Sequence, residues 1–194
     1  MSEKDKINRD MILDAAQDCF VKYGFERTRL DDIAAQTELS RPAIYNYYKN
    51  KKDIFRGVAL RVHEKGMLRA ESALADAKAD FQEKLHVLFY EYSIISMKEL
   101  ADGPHAAELI EQGGKLAQDL LKQCADEFKT FLTRFIKSAD QAGEITLKKS
   151  GVSAKEMADL LYYATKGFKH ADLEITEYEK RLKNLMKLVS AALS

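Results

Sequence analysis

Arg41, Pro42, Ala43, Tyr45 and Asn46 fall within 41–46, and together they carry side-chain chemistry that reads base edges. An arginine can form two parallel hydrogen bonds to guanine, and an asparagine can do the same with adenine. A small apolar surface such as Ala43 or Pro42 suits the thymine methyl group. A good bidentate contact discriminates between bases by ~1–3 kcal/mol. Just downstream, Lys51 and Lys52 fall in the first turn of an expected helix. That is the wrong end for the helix dipole, which favours anions at an N-terminus. A phosphate on which amide groups and lysines converge explains the two lysines where helix stability does not.

Two short helices joined by a tight turn must hold these residues. Thr28, with Asp31 three residues on, reads as a capping box that opens the first helix. Ile33 and Ala34 then point inward, and Leu39 closes the corner. Ser40 is a second N-cap. Pro42 is acceptable there because the first turn of a helix has spare amide groups and needs the angle that proline fixes. Ile44 and Tyr48 are four apart and share an inner face. Arg41, Ala43, Tyr45, Asn46 and Tyr47 are left facing outward. Asn50 with Asp53 repeats the capping pattern and opens a third segment. Such a pair of helices is one way for a small domain to place a helix in the DNA major groove.

Residues 9–58 resemble the DNA-binding domain of the tetracycline-repressor (TetR) family of bacterial transcriptional regulators. The matching residues are Ile12, Ala15, Ala16, Phe20, Gly24, Phe25, Thr28, Asp32, Ile33, Ala34, Ser40, Ile44, Tyr45, Tyr47, Tyr48, Lys51, Phe55 and Val58, in order and without gaps. Two positions depart from the family pattern. Glu38 stands where the family often has glycine, and a left-handed Glu38 would be strained by roughly 1 kcal/mol. Tyr48 stands where phenylalanine is usual, so its hydroxyl needs water or a partner. The resemblance implies an all-α homodimer with a small-molecule-binding C-terminal domain. By the same resemblance Thr28 and Lys51 contact phosphates, as does Tyr47 through its hydroxyl, while Arg41, Pro42, Ala43, Tyr45 and Asn46 line the groove floor or wall.

Composition agrees with that reading. Only 2 prolines and 9 glycines punctuate the 194 residues, apolar content is 46%, and strand-like alternation is absent, so the chain is expected to be nearly all helix. About nine helices are expected. A helix-turn-helix domain covers 1–50, a linker helix starts at about 51, and a helical ligand-binding and dimerisation domain covers 51–194. No apolar run approaches the ~18–20 residues of a membrane span, and the first residues lack the apolar core of a signal peptide. A cytoplasmic location follows as an expectation. Cys19 and Cys124, far apart on apolar helix faces, read as reduced buried thiols. Net charge is zero, but residues 41–69 hold 8 basic and 2 acidic side chains, a concentrated basic run of the kind that DNA-binding domains carry.

Along the chain, helices are expected over 7–23, from 51 through Gly66 into 70–79, and over 81–100 with Asp80 as cap. A short helix follows through Ile110, Gly113-Gly114 breaks the chain, and a long helix covers 115–142. Gly24 and Gly143 are C-caps, and 144–152 is a loop. Ser153 with Glu156 opens a helix through about His170, and Thr176 with Glu179 opens the last one. Candidate effector contacts are His86, Phe89, Tyr92, Ser93, Met97, Phe128, Phe131 and Tyr163, an apolar and aromatic set with a few polar groups. The alternative for each is an ordinary core position. The last two helices carry apolar stripes. In the family such helices pair between subunits, which places Leu161, Phe168, Leu182 and Met186 at a dimer interface. A small recognition helix gains specificity when two are paired on a palindromic operator.

His86, His105 and His170 have no second His or Cys at ligand spacing, so no metal is expected, and no cofactor is implied. The leading expectation is a ligand-responsive DNA-binding regulator of repressor type, in the sense that an apolar or aromatic effector releases the operator. The alternative is a DNA-binding structural or cell-division factor of the same fold without an effector. An enzyme is disfavoured, because no nucleophile–base pair, Gly-rich phosphate loop or metal constellation is present in the sequence.

Overall fold

The computed structural model describes residues 2–76, 79–101, 103–168 and 174–193. Every regular element among them is a helix. In chain order these are α1 (Glu3–Tyr23), α2 (Leu30–Ala35), α3 (Arg41–Tyr45), α4 (Lys51–Asp76), α5 (81–101), α6 (Ala106–Leu116), α7 (Gln118–Gln141), α8 (Leu147–Ser150), α9 (Ala154–Gly167) and α10 (Ile175–Leu193). The chain divides into two compact units, Met1–His63 with Glu99–Lys122, and Glu64–Lys98 with Gln123–Ser194. The units do not follow a cut at residue 51, since α4 contributes to both and α6 is grouped with the helix-turn-helix.

In the first unit, α1 starts earlier than apolar spacing suggests. Ser2 and Asp5 cap it reciprocally, the Ser2 hydroxyl taking the Asp5 amide and the Asp5 carboxylate taking the Ser2 amide. Its C-cap, Gly24, has φ 81° as its role requires, but ψ 163° makes the backbone extended, outside the left-handed helical region. Ile12, Ala16, Cys19, Ile33, Ile44 and Ile54 are fully buried and form the core of this unit. Phe20, Phe25 and Phe55 interlock beside them with ring centroids 5.1–5.6 Å apart.

The expected break at Gly113-Gly114 is absent. α6 runs through both glycines, and the chain turns instead at Ala117 (φ −134°, ψ 21°), which is fully buried. A long-range contact accounts for the placement. Arg56 of α4 donates to the Leu116 carbonyl at the end of α6 and grips the Asp119 carboxylate with both arms of its guanidinium, at 2.6 and 2.7 Å. That pair ends α6 and starts α7 at one place. It also holds the Asp119 carboxyl well below the usual carboxylate range, chiefly through the hydrogen bond from Arg56.

The second unit is built on a core of Phe89, Leu85, Leu88, Ile94, Phe128, Leu132, Ile136, Leu161, Tyr178, Leu182 and Met186. Asp80 caps α5 as expected, taking the Glu83 amide at 2.9 Å. The helix then widens into a π turn at Tyr90–Ile94 that periodicity does not reveal. Arg69 of α4 donates to the Glu91 carbonyl and the Ser96 hydroxyl, and Ser96 donates to the Tyr92 carbonyl. These bonds serve backbone carbonyls in and around the wider turn. Gly66 lies against it, and a Cβ there would meet the Tyr92 carbonyl at 3.1 Å.

The expected loop at 144–152 contains α8, which brings the described residues to ten helices where about nine are expected. Ser153 and Glu156 cap α9 as expected, whereas α10 begins at Ile175, one residue before the Thr176 expected to cap it. His170 lies outside the described residues. Cys19 and Cys124 are both free and buried, and burial pushes each thiol up to about 11.

Candidate nucleic-acid interface

α3 divides cleanly into two faces. Ile44 is fully buried and Tyr48 nearly so, while Arg41, Pro42, Tyr45 and Asn46 are exposed and Ala43 and Tyr47 are half-exposed. The Ser40 hydroxyl caps it at the Ala43 amide, 3.3 Å away. The helix is short because the chain tightens at once, with the Tyr47 and Tyr48 amides both donating to the Ile44 carbonyl. The Arg41 guanidinium is held by Asp31 of α2, whose carboxylate is 3.1 Å away. The side chain best suited to a guanine is thereby pre-set along the outer face.

Tyr47 is also pre-set. Its hydroxyl accepts from Asn8 Nδ2 at 2.7 Å, so its own proton is free to be donated outward. Arg9 sits over the rings of Tyr47 and Tyr48, 5.9 and 5.2 Å from their centroids. Asn8 and Arg9 carry no local motif, so sequence reading passes over them. The turn before α3 contains no strained residue, because no non-glycine among the described residues has a positive φ. The Thr37 hydroxyl instead takes the Leu39 amide and donates to the Ala34 carbonyl, so Glu38 turns the corner without needing to be glycine.

Two expected phosphate contacts are used elsewhere. Thr28 is 1% exposed and donates to the Gly24 carbonyl at 2.6 Å, with the Cys19 carbonyl also in reach. It does not cap α2. The helix starts one residue later, at an Arg29 amide that donates to the Asp32 carboxylate at 2.7 Å. The Lys51 ammonium donates to the carbonyls of Phe25, Glu26 and Thr28 at 2.7–3.0 Å. It braces the α1–α2 corner rather than pointing outward. The basic run of 41–69 is similarly depleted. Arg56 is on Asp119, Arg61 is on the Asp10 carbonyl and the Asp14 carboxylate, and Arg69 is on the π turn. The Asn50 cap forms as expected, taking the Asp53 amide, but the Asp53 carboxylate takes the amide of Lys49.

The effector candidates separate into groups. Phe89, Ser93 and Phe128 are buried in the second unit, and Tyr92 stacks on Phe128 with centroids 3.7 Å apart. Met97 and Phe131 border that core. His86 lies beside Tyr90, its ring centroid 6.1 Å away. Tyr163 is 59% exposed and faces away from the core. The dimer candidates show the opposite displacement. Leu161, Leu182 and Met186 are buried at 0–1% exposure in their own subunit, and Phe168 packs on Tyr178. The large apolar side chains that α9 and α10 expose are Leu160, Tyr163 and Leu188. The two stripes are apolar as expected, but their most buried members serve the internal core. Among the described residues no helix is long and apolar enough to cross a membrane.

Residues 12–58 match the family described as bacterial regulatory proteins, tetR family. Over 170 residues the chain is 28% identical to the HTH-type transcriptional repressor BepR of Brucella suis biovar 1 (strain 1330), covering 82% of this chain and 78% of that one. Among solved structures it is similar to a TetR-family transcriptional regulator from Mesorhizobium loti, with a TM-score of 0.74 and 17% identity over the whole of both chains. It is also similar to SmeT, the repressor of the Stenotrophomonas maltophilia multidrug efflux pump SmeDEF. That match has a TM-score of 0.69 and 23% identity, and covers 95% of this chain and 89% of that one.

Proposed function

We propose that this chain, whose residues 12–58 match the family of bacterial regulatory proteins, tetR family, is a ligand-responsive, sequence-specific DNA-binding transcriptional repressor. The observation that carries the reading is the division of α3, whose buried Ile44 fixes the helix while Arg41, Pro42, Ala43, Tyr45 and Asn46 lie outward. Arg41 reads a guanine, Asn46 an adenine, and Ala43 or Pro42 touches a thymine methyl. Tyr47 donates its hydroxyl to a phosphate.

The active species is a homodimer on a palindromic operator whose half-sites lie about one helical turn, ~34–36 Å, apart. The exposed Leu160, Tyr163 and Leu188 of α9 and α10 form its contact. A small apolar or aromatic effector enters the aromatic core around Phe89, Tyr92, Ser93 and Phe128. It shifts the protein only by the difference in its affinity for the operator-binding and released states. The protein acts in the cytoplasm.

The test is selection of duplexes from a random-sequence pool by the full-length protein. Recovery of an inverted repeat with half-site centres about 10 bp apart is expected. A recovered pool with no common sequence, bound equally with a scrambled duplex, would overturn the reading.

A further inference from the structure

The Tyr178 hydroxyl is the one buried side-chain polar atom among the described residues without a hydrogen-bond partner. Tyr178 lies on α10 and is fully buried in the core of the second unit. A hydroxyl taken out of water without a partner destabilises a fold, so a folded protein rarely keeps one without a use. Ser93, itself buried, stands beside it on the π turn of α5, and such turns are frequent at functional sites. Burial pushes the phenol up to about 12, and Ser93 acts in the opposite direction. The two hydroxyls are nevertheless outside hydrogen-bond geometry. Neighbouring hydroxyls that do not bond each other are placed to share a third atom.

We propose that Tyr178 is the polar anchor of the effector site, and that its ligand is an uncharged aromatic molecule carrying a hydrogen-bond acceptor such as a ketone or amide carbonyl. This rests on the reading that an effector enters the core around Phe89, Tyr92, Ser93 and Phe128, and it names what that core selects.

Three features set the chemistry. Besides the Tyr178 hydroxyl, the buried polar side chains of the second unit are, among the described residues, Ser93 and Thr165. Thr165 is already committed to the Leu161 and Tyr162 carbonyls of its own helix, both at 2.9 Å. No buried charge therefore offsets the desolvation of a charged ligand. A phenol donates its proton to a carbonyl oxygen, and the Ser93 hydroxyl can add a second donor. Finally, Tyr92 lies almost face to face on Phe128, with centroids 3.7 Å apart and planes 9° from parallel. Aromatic pairs prefer offset or edge-to-face arrangements to such a sandwich. That contact is the one a ligand's ring replaces most readily.

The test compares the full-length protein with Tyr178→Phe, which removes the hydroxyl and keeps the ring. Each is titrated by calorimetry with three probes. Benzophenone is uncharged and carries a carbonyl, diphenylmethane replaces that carbonyl by a methylene group, and benzoylbenzoate adds a carboxylate. The parent is expected to bind benzophenone about tenfold more tightly than either of the others. Tyr178→Phe is expected to bind benzophenone and diphenylmethane equally. Without ligand the variant is expected to melt no lower than the parent, because it loses a buried polar group that had no partner.

A variant that keeps the preference for benzophenone overturns the proposal, as does a parent that prefers the carboxylate. A variant that melts below the parent overturns it too, because the hydroxyl is then already bonded within the folded chain. If diphenylmethane binds the parent as tightly as benzophenone, the anchor fails and the effector site stands. If neither uncharged compound binds, the proposal fails together with the effector site. The DNA-binding reading is separate from both results, because it is read from sequence selectivity in the duplex selection.

Discussion

The Lys51 ammonium lies 4.5 Å from the centre of the Phe25 ring and donates to the carbonyl of the same residue at 2.7 Å. One side chain therefore closes the α1–α2 corner through a cation–π contact and three carbonyl bonds. Removing it leaves three carbonyls, those of Phe25 and Thr28 partly buried, without their charged donor. Lys51→Met is expected to destabilise the protein by about 1–3 kcal/mol, measured as a lower midpoint in urea. The salt dependence of duplex binding at a temperature where the variant is folded is expected to stay unchanged. A slope reduced by about one unit with normal stability would return Lys51 to a phosphate.

Tyr47 and Asn8 are 39 residues apart and share one hydrogen bond. If Asn8 aims the tyrosine hydroxyl at a phosphate, Tyr47→Phe and Asn8→Ala weaken operator binding by similar amounts, about 0.5–1.5 kcal/mol each. The double variant then binds little more weakly than either alone. The weakening is uniform over operator sequences, because a phosphate contact carries no base information. Additive effects in the cycle would mean that the two side chains act separately.

What the sequence makes legible is local. The caps at Ser40 and Asn50 each join residues three apart, and the inward pair Ile44 and Tyr48 follows from helical spacing. What it hides is long-range. The carbonyls that Lys51 serves are 23–26 residues away, and Asp119 lies 63 residues from Arg56. Reading basic residues as DNA contacts therefore overstates the surface charge, since the tertiary fold uses several of them internally. The π turn is hidden for a related reason. Tyr90–Ile94 has helical apolar spacing like its flanks, and the wider turn is braced by Arg69 from another helix.

Leu160 and Leu161 are neighbours on α9 with opposite environments, 60% and 1% exposed. Leu161→Ala is expected to cost about 2–5 kcal/mol of folding stability through an internal cavity, with the oligomeric state of the remaining folded protein intact. Leu160→Glu combined with Leu188→Glu is expected to change monomer stability little, because exposed positions away from special features rarely matter by more than about 0.5 kcal/mol. The same double variant is expected to be monomeric when light scattering is read on the eluting protein. A dimer that survives both glutamates places the subunit contact on another face.

His86 supplies the pH dependence. Its pKa is lowered from 6.5, first by burial and then by Lys183, against the opposing pull of Glu179 and Glu83. Tyr90 packs against the ring, and Lys98 engages Glu179 at 2.8 Å, which weakens that carboxylate's hold on a proton at His86. A lowered folded-state pKa means that the unfolded chain binds the proton more readily. The contribution of His86 is therefore fully present above pH 6.5 and is lost as pH falls from 6.5 through the folded value. Melting temperatures of the parent should fall between pH 7 and pH 5. His86→Gln, which keeps the size and removes the titration, should flatten the part of that fall due to this site. Parallel curves for the two proteins across that range would show that His86 takes up its proton equally well in both states.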